Sequence, residues 1–326
     1  MKPIKLPIMR SVFLALLLAA AAFGATAQTY PSKPLHVIAP FPPGGPVDVL
    51  GRVLAQGLSD AMGQPAIVEN KVGAAGNIGI DQAAKAAPDG YTLAIVPLGN
   101  IAVNPALYPS LPYKASDLAP VTMLATVENV LVVNAAVPAR SVKELLALAA
   151  QKPGSISFAS PGAGSQAHLA GELMALNGGV QLLHVPYKGI GPAINDLLGG
   201  QVSMMFAQMS SVLPHIKSGK LRALGVASLK RSPVMPDTPT IAEQGLPRFE
   251  AVSWYALMVP AGTPRAVIDK LNAETGKLFA TPALKEKLAA QGMDASTGKP
   301  SELAATIQAD TQRWTDVIRQ KNIKPE

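Results

Sequence analysis

The chain has 326 residues, a formal charge of +7, 5% aromatic residues and no cysteine. That length suits two ordinary domains. The missing thiols exclude disulfides, thiol catalysis and a lipid-anchored lipoprotein. Scattered basic residues and few aromatics speak against nucleic-acid binding.

Residues 1–27 read as an export signal. Lys2, Lys5 and Arg10 form the basic region, residues 12–23 the apolar core, and Ala25-Thr26-Ala27 the small-residue cleavage pattern, with the mature chain expected to start at Gln28. The apolar core is short for a membrane span, which needs about 20 residues. Losing those three cations leaves a mildly basic chain, a balance that serves solubility as readily as attraction of anions. Residues 119–137 are also apolar, but Glu128, Asn129 and Asn134 interrupt them and their valines suit buried strands.

The next segment, residues 35–39, predicts a strand. It runs into Phe41-Pro42-Pro43-Gly44-Gly45-Pro46-Val47-Asp48 and then a helix, with apolar positions at Val47, Leu50, Val53, Leu54, Leu58, Ala61 and Met62. A loop of this composition can hold backbone N–H groups at a helix N-terminus, a favourable place for an anion. Residues 66–69 predict a second strand. The glycine-rich stretch 73–79, a helix over 80–86 and a strand over 91–96 follow. This alternation predicts a parallel sheet covered by helices.

The pattern then restarts. Strands are predicted over 130–133, 155–159, 180–185, 202–206 and 221–227. Helices are predicted from Ser141, whose Ser-x-x-Glu start is a capping box, through 177 after Gly162-Ala163-Gly164-Ser165, and over 191–198. The tail predicts a strand at 256–259 and three helices, two of them starting at Thr263-Pro264 and Thr281-Pro282 and the last over 301–321. Two α/β halves result, with a discontinuous first domain (28–127 and 252–326) and a second at 128–251.

Candidate chemistry is sparse. Gly162-Ala163-Gly164-Ser165-Gln166-Ala167 nominally fits a dinucleotide fingerprint, but no acid lies near residues 184–188 to hold a ribose. Ser165 is not in a G-x-S-x-G context. It can cap its helix, and a hydroxyl there can also donate to a carboxylate. His36, His168, His184 and His215 lack paired metal spacing. His168, in the first turn of its helix, is either a packed histidine or a ligand contact. No catalytic residue, metal or cofactor is expected. Three strand–glycine loop–helix junctions remain, and ligands of open α/β sheets bind beyond the carboxyl ends of strands.

The chain resembles the periplasmic solute receptors of the tripartite tricarboxylate transporter family, the Bug-type receptors. The resemblance is carried by Tyr30-Pro31-Ser32-Lys33-Pro34, the loop from Pro40 to Asp48, Val68-Glu69-Asn70-Lys71 and Ala87-Pro88-Asp89-Gly90-Tyr91-Thr92-Leu93. It continues in Asn104-Pro105-Ala106-Leu107-Tyr108, His168-Leu169-Ala170-Gly171-Glu172, His184-Val185-Pro186-Tyr187-Lys188-Gly189, Gly199-Gly200-Gln201-Val202 and Pro260-Ala261-Gly262-Thr263-Pro264. It implies a type II periplasmic-binding-protein fold, two α/β domains closing on a small carboxylate that is passed to a membrane permease by a monomeric, non-enzymatic receptor. It places a first-domain grip at Phe41, Pro43, Gly44, Gly45 and Asp48, with Gly76 and Asn77 nearby. A second-domain grip falls at Ser160, Gly162, Gly164, Ser165 and His168. Leu98, Gly99, Asn100, Tyr187 and Gln208 would line the pocket. Ala207 stands where many members carry Asp, which disfavours an ammonium-bearing ligand. A sensor receptor on the same fold and a periplasmic hydrolase are the alternative readings.

Overall fold

The computed structural model describes residues 30–325. The export segment and cleavage site expected at residues 1–27 lie outside the described residues. In chain order the strands are β1 (Leu35–Ala39), β2 (Ala66–Asn70), β3 (Thr92–Pro97), β4 (Leu118–Val127), β5 (Asn129–Asn134), β6 (Ser157–Ser160), β7 (Leu183–Pro186), β8 (Met204–Gln208), β9 (Leu221–Val226), β10 (Ser253–Pro260) and β11 (Asp294–Ala295). The helices are α1 (Pro46–Met62), α2 (Asn77–Ala84), α3 (Asn104–Leu107), α4 (Val142–Gln151), α5 (Gln166–Gly178), α6 (Ile190–Leu198), α7 (Met209–Lys217), α8 (Arg265–Ala280), α9 (Pro282–Ala289) and α10 (Pro300–Gln320).

Two mixed sheets result, one ordered β11-β4-β10-β3-β1-β2 and the other β7-β6-β8-β5-β9. The alternation of strands and helices predicts parallel pairing, and β2-β1-β3 and β7-β6-β8 are parallel. The exceptions are β11, antiparallel to β4, and the strands that carry the chain between sheets. β10 is antiparallel to β3 and β4, and β5 is antiparallel to β8 and β9. Only Glu128 separates β4 from β5. With no crossover helix to turn the chain round, nothing sets β5 parallel to its neighbours. The return passes through residues 251–253, and the two passages are bonded. Asn129 Nδ2 donates to Ala251 O at 2.7 Å, and Ala251 N donates to Ala227 O at 2.8 Å.

The packing of α1 and α5 positions the site. α1 buries Val47, Leu50, Leu54 and Leu58 on the first sheet, each worth roughly 1.5–3 kcal/mol of apolar burial. Pro46 at its first position fixes where it starts. α5 presses on β6 through Gly171, where an added Cβ would stand 2.3 Å from the Phe158 ring. α10 closes over the first sheet's side, burying Trp314, Val317 and Ile318, and Lys321 Nζ ties its end to Glu172 of α5 at 3.1 Å. Helix α7 is missing from the sequence reading because Pro214 sits inside it and breaks the expected pattern.

Candidate functional site

Between the carboxyl ends of the two sheets lies a cleft of about 350 Å³, within the usual range for small-ligand sites. From the first-sheet side it is lined by Phe41, Leu98, Gly99, Asn100 and Tyr255, and from the other by Gly164, Ser165, Ile190, Ala207 and Gln208. No lining residue is charged. Eight of the residues expected at the site line it: Phe41, Leu98, Gly99, Asn100, Gly164, Ser165, Ala207 and Gln208.

The others stand around it. Pro43 and Gly45 line a neighbouring cavity that shares Phe41, Pro97 and Tyr255 with the cleft. Gly44 and Asp48 line neither. Asp48 is 4% exposed, and its carboxylate accepts from Gly44 N at 3.0 Å, Arg52 Nε at 2.9 Å and Asn70 Nδ2 at 3.1 Å. The Arg52 bond holds its carboxyl below the usual range, against the opposing effect of burial. This charge sits in the first turn of α1. The helix end expected to receive an anion is therefore already neutralised by the chain itself.

Gly76 lies behind Phe41, where a Cβ would stand 2.9 Å from the ring. Asn77 is a buried hub. Its Oδ1 accepts from Asn100 Nδ2 at 3.0 Å, Asn104 Nδ2 at 2.8 Å and Tyr113 Oη at 2.9 Å. Asn100 also donates to Ala75 O at 2.9 Å, so both its amide hydrogens are taken. These amides build the cleft floor more than they offer donors to it. Tyr187 is turned to Asp196, donating to its carboxylate at 2.8 Å.

On the second sheet the loop after β6 is braced from behind. Ser160 Oγ accepts from Gly162 N at 3.2 Å and lies 2.7 Å from His184 Nε2. Serine and histidine at that distance have the geometry of an activated nucleophile. Ser160 is fully buried and does not line the cleft, so the pair shapes the loop. Gly164 N donates to His168 Nδ1 at 3.0 Å, which leaves the His168 proton on Nε2. The His168 and His184 rings stack at 3.7 Å and 5°. Burial first, and then the neighbouring His184, push the His168 pKa down to about 4. His168 is thus a neutral acceptor for the loop. Ser165 caps α5 by accepting from His168 N at 3.4 Å, while its own hydroxyl donates to Gly162 O at 2.7 Å.

What remains open is the first turn of α5, where no acidic residue intrudes. Gln166 and Ala167 line the cleft there, and the Gln166 Nε2 is buried without a hydrogen-bond partner. Sequence reasoning passed over Gln166 inside a motif that it had singled out for its glycines. It also missed Asn129, Ile190, Met205, Phe206 and Ser253-Trp254-Tyr255, which line the cleft from β5, β8, β10 and the start of α6. Trp254 contributes its ring, since its N–H donates to Asp310 Oδ2 at 2.7 Å. Only the register of returning strands reveals these residues, and no local motif marks it. Among the described residues, no group of three or more His, Cys, Asp or Glu is placed to hold a metal, and no helix is long and apolar enough to cross a membrane.

Protein BugT of Bordetella pertussis is 44% identical over 301 residues, covering 92% of each chain. A TctC solute-binding protein from Polaromonas superposes with a TM-score of 0.82 at 30% identity, over 90% of this chain and all of that one. Rpa4515 from R. palustris, solved with adipate, superposes with a TM-score of 0.74 at 33% identity, over 91% of this chain and all of that one. The fold is that of these periplasmic receptors. The sequence pattern of the tripartite tricarboxylate transporter family receptor, TctC, matches residues 50–323, and the chain belongs to that family.

Proposed function

We propose that the chain is an extracytoplasmic receptor that captures a small organic carboxylate in the central cleft and delivers it to a tripartite tricarboxylate-type permease. One observation carries this reading: a cleft without charged side chains, bordered by the unobstructed first turn of α5, in a chain of a receptor family. Backbone N–H groups at a helix start favour an anion without an added cation. The adipate held by the related Rpa4515 supports a carboxylate. An uncharged Ala207 at the β8 end offers nothing to an ammonium group, so a plain organic acid is favoured over an amino acid.

The two lobes are residues 28–127 with 252–326, and 128–251. They close about the passages at Glu128 and residues 251–253. A ligand favours closure only through contacts it gains in the closed form. The receptor is exported, loses its signal near Gln28, acts as a monomer and performs no catalysis; the burial of Ser160 away from the cleft supports the last of these. A thermal-shift screen tests the reading. Saturation at 100 times Kd adds about 2.7 kcal/mol of stability, a visible rise in melting temperature. A flat response to mono-, di-, tri- and aromatic carboxylates contradicts it.

A further inference from the structure

The cleft holds one strong anchor for an acceptor and little to receive a second charge. At the α5 end, Gln166 lines the cleft beside the first-turn backbone of a 13-residue helix, and its amide nitrogen, shielded from solvent, has no hydrogen-bond partner until the side chain turns to a ligand. A buried donor without a partner is costly, and a ligand oxygen placed there removes that cost. Ser165 does not compete for this role, because its hydroxyl proton goes to Gly162 O.

Away from α5 the wall changes character. Met205, Phe206, Ala207, Ile190 and Leu98 are apolar, and Trp254 has its N–H committed to Asp310. Asn100 has spent both amide hydrogens, Asn104 donates to Asn77, and Asn129 Nδ2 donates to Ala251 O. Gln208 and Tyr255 are left to meet neutral polar groups. A second carboxylate carried into this end would lose its water without gaining a cation, a penalty that buried charges escape only by pairing.

We propose that the physiological ligand class is a monocarboxylate with an uncharged body, anchored through its carboxylate by the Gln166 amide and lying against the apolar wall of β8 and α6. This rests on the carboxylate-receptor reading and narrows it to one charge. It also separates this chain from its adipate-bound relative, whose ligand carries two carboxylates.

Matched ligands test it by calorimetric titration at pH 7.5: hexanoate against adipate, benzoate against terephthalate, and hexanoate against 6-aminohexanoate. The expected result is that the better monocarboxylate binds at least tenfold tighter than its dicarboxylate partner, and hexanoate tenfold tighter than its amino derivative. In Gln166→Leu the preferred monocarboxylate weakens at least tenfold, while the ligand-free melting temperature is unchanged or higher, since the amide removed was unpaired. Gln166→Glu places a like charge at the anchor and weakens it further. A dicarboxylate that binds as tightly as its partner or tighter overturns the proposal and leaves the receptor reading intact. Wild-type affinity in Gln166→Leu overturns the anchor. Silence across all five probes and citrate contradicts the carboxylate reading itself.

Discussion

The loops Phe41–Asp48 and Ser160–His168 each leave the carboxyl end of a parallel strand and enter a long helix, yet opposite chemistry holds them. The first is tied by a charge. Asp48 reaches back to Gly44 N and also takes Arg52 and Asn70, which fills the start of α1 with the chain's own carboxylate. The second is tied by neutral groups: Ser160, Ser165 and an uncharged His168 satisfy its turns from behind. Rigidity is achieved in both, but only the second leaves a helix end free of negative charge at the cleft. Two loops that look equivalent as sequences thus differ at their helix starts, one occupied by the chain's own carboxylate and the other without an acidic residue.

The largest expected effect is that acid separates them. The His168 pKa is about 4 in the folded protein, against an ordinary value of 6.5. Between these values the unfolded chain binds the extra proton and the folded one does not, so stability falls as pH drops from 6.5 towards 4. The loss reaches on the order of 3 kcal/mol. Asp48 is lowered from 3.8, so its contribution is present above that value and goes only as pH falls further. Melting temperatures across this range should show the histidine step first. His168→Asn keeps an acceptor for Gly164 N while removing the titration, and should flatten the slope. An unchanged slope in that variant means the step belongs to other groups.

Alanine at the two exposed-backbone glycines sharpens the contrast. Gly164 has φ +72°, and its Cβ would stand 2.4 Å from Leu107, a side chain of α3 packed against it. Gly44 has φ +90° but open space around it. Gly164→Ala should cost about 2–3 kcal/mol and reduce ligand affinity at least tenfold. Gly44→Ala should cost about 1–2 kcal/mol from backbone strain alone, with affinity little changed. Equal losses of affinity would break the comparison. Asp48→Asn should destabilise by about 1–2 kcal/mol in urea unfolding while leaving ligand affinity within threefold, because neither Asp48 nor the Gly44 that it braces lines the cleft. Ser165→Ala should be the mildest change, about 1 kcal/mol from the lost cap. A loss well beyond that would show that Ser165 Oγ does more than close the turn.

Much of this arrangement was legible in the sequence for local reasons. β1 and the start of α9 follow from an apolar strand and a Thr-Pro junction. Ser165 and its glycines announce a helix start, and the structure has that cap. The direction of β10 was not legible, because its partners β3 and β4 lie more than a hundred residues upstream and only long-range pairing orients it. The same distance hides Ser253, Trp254 and Tyr255 from any motif. Asp48 illustrates a subtler gap. Its place after a proline–glycine loop suggests ligand contact, but Arg52 one turn on and Asn70 on β2 claim its oxygens. Gln166 is the converse, an ordinary surface residue type that matters because its amide is left without a partner.

The central claim is that the ligand carboxylate sits on the second loop and the α5 start, with Phe41–Asp48 serving as the opposite wall. A crystal structure with the tightest carboxylate of the titration panel tests it directly. The account predicts ligand oxygens within hydrogen-bond distance of Gln166 Nε2 and the first-turn backbone of α5, with the Asp48 carboxylate still bonded to Gly44 N. A carboxylate held by the Gly44–Asp48 backbone, with Gln166 uninvolved, would contradict it.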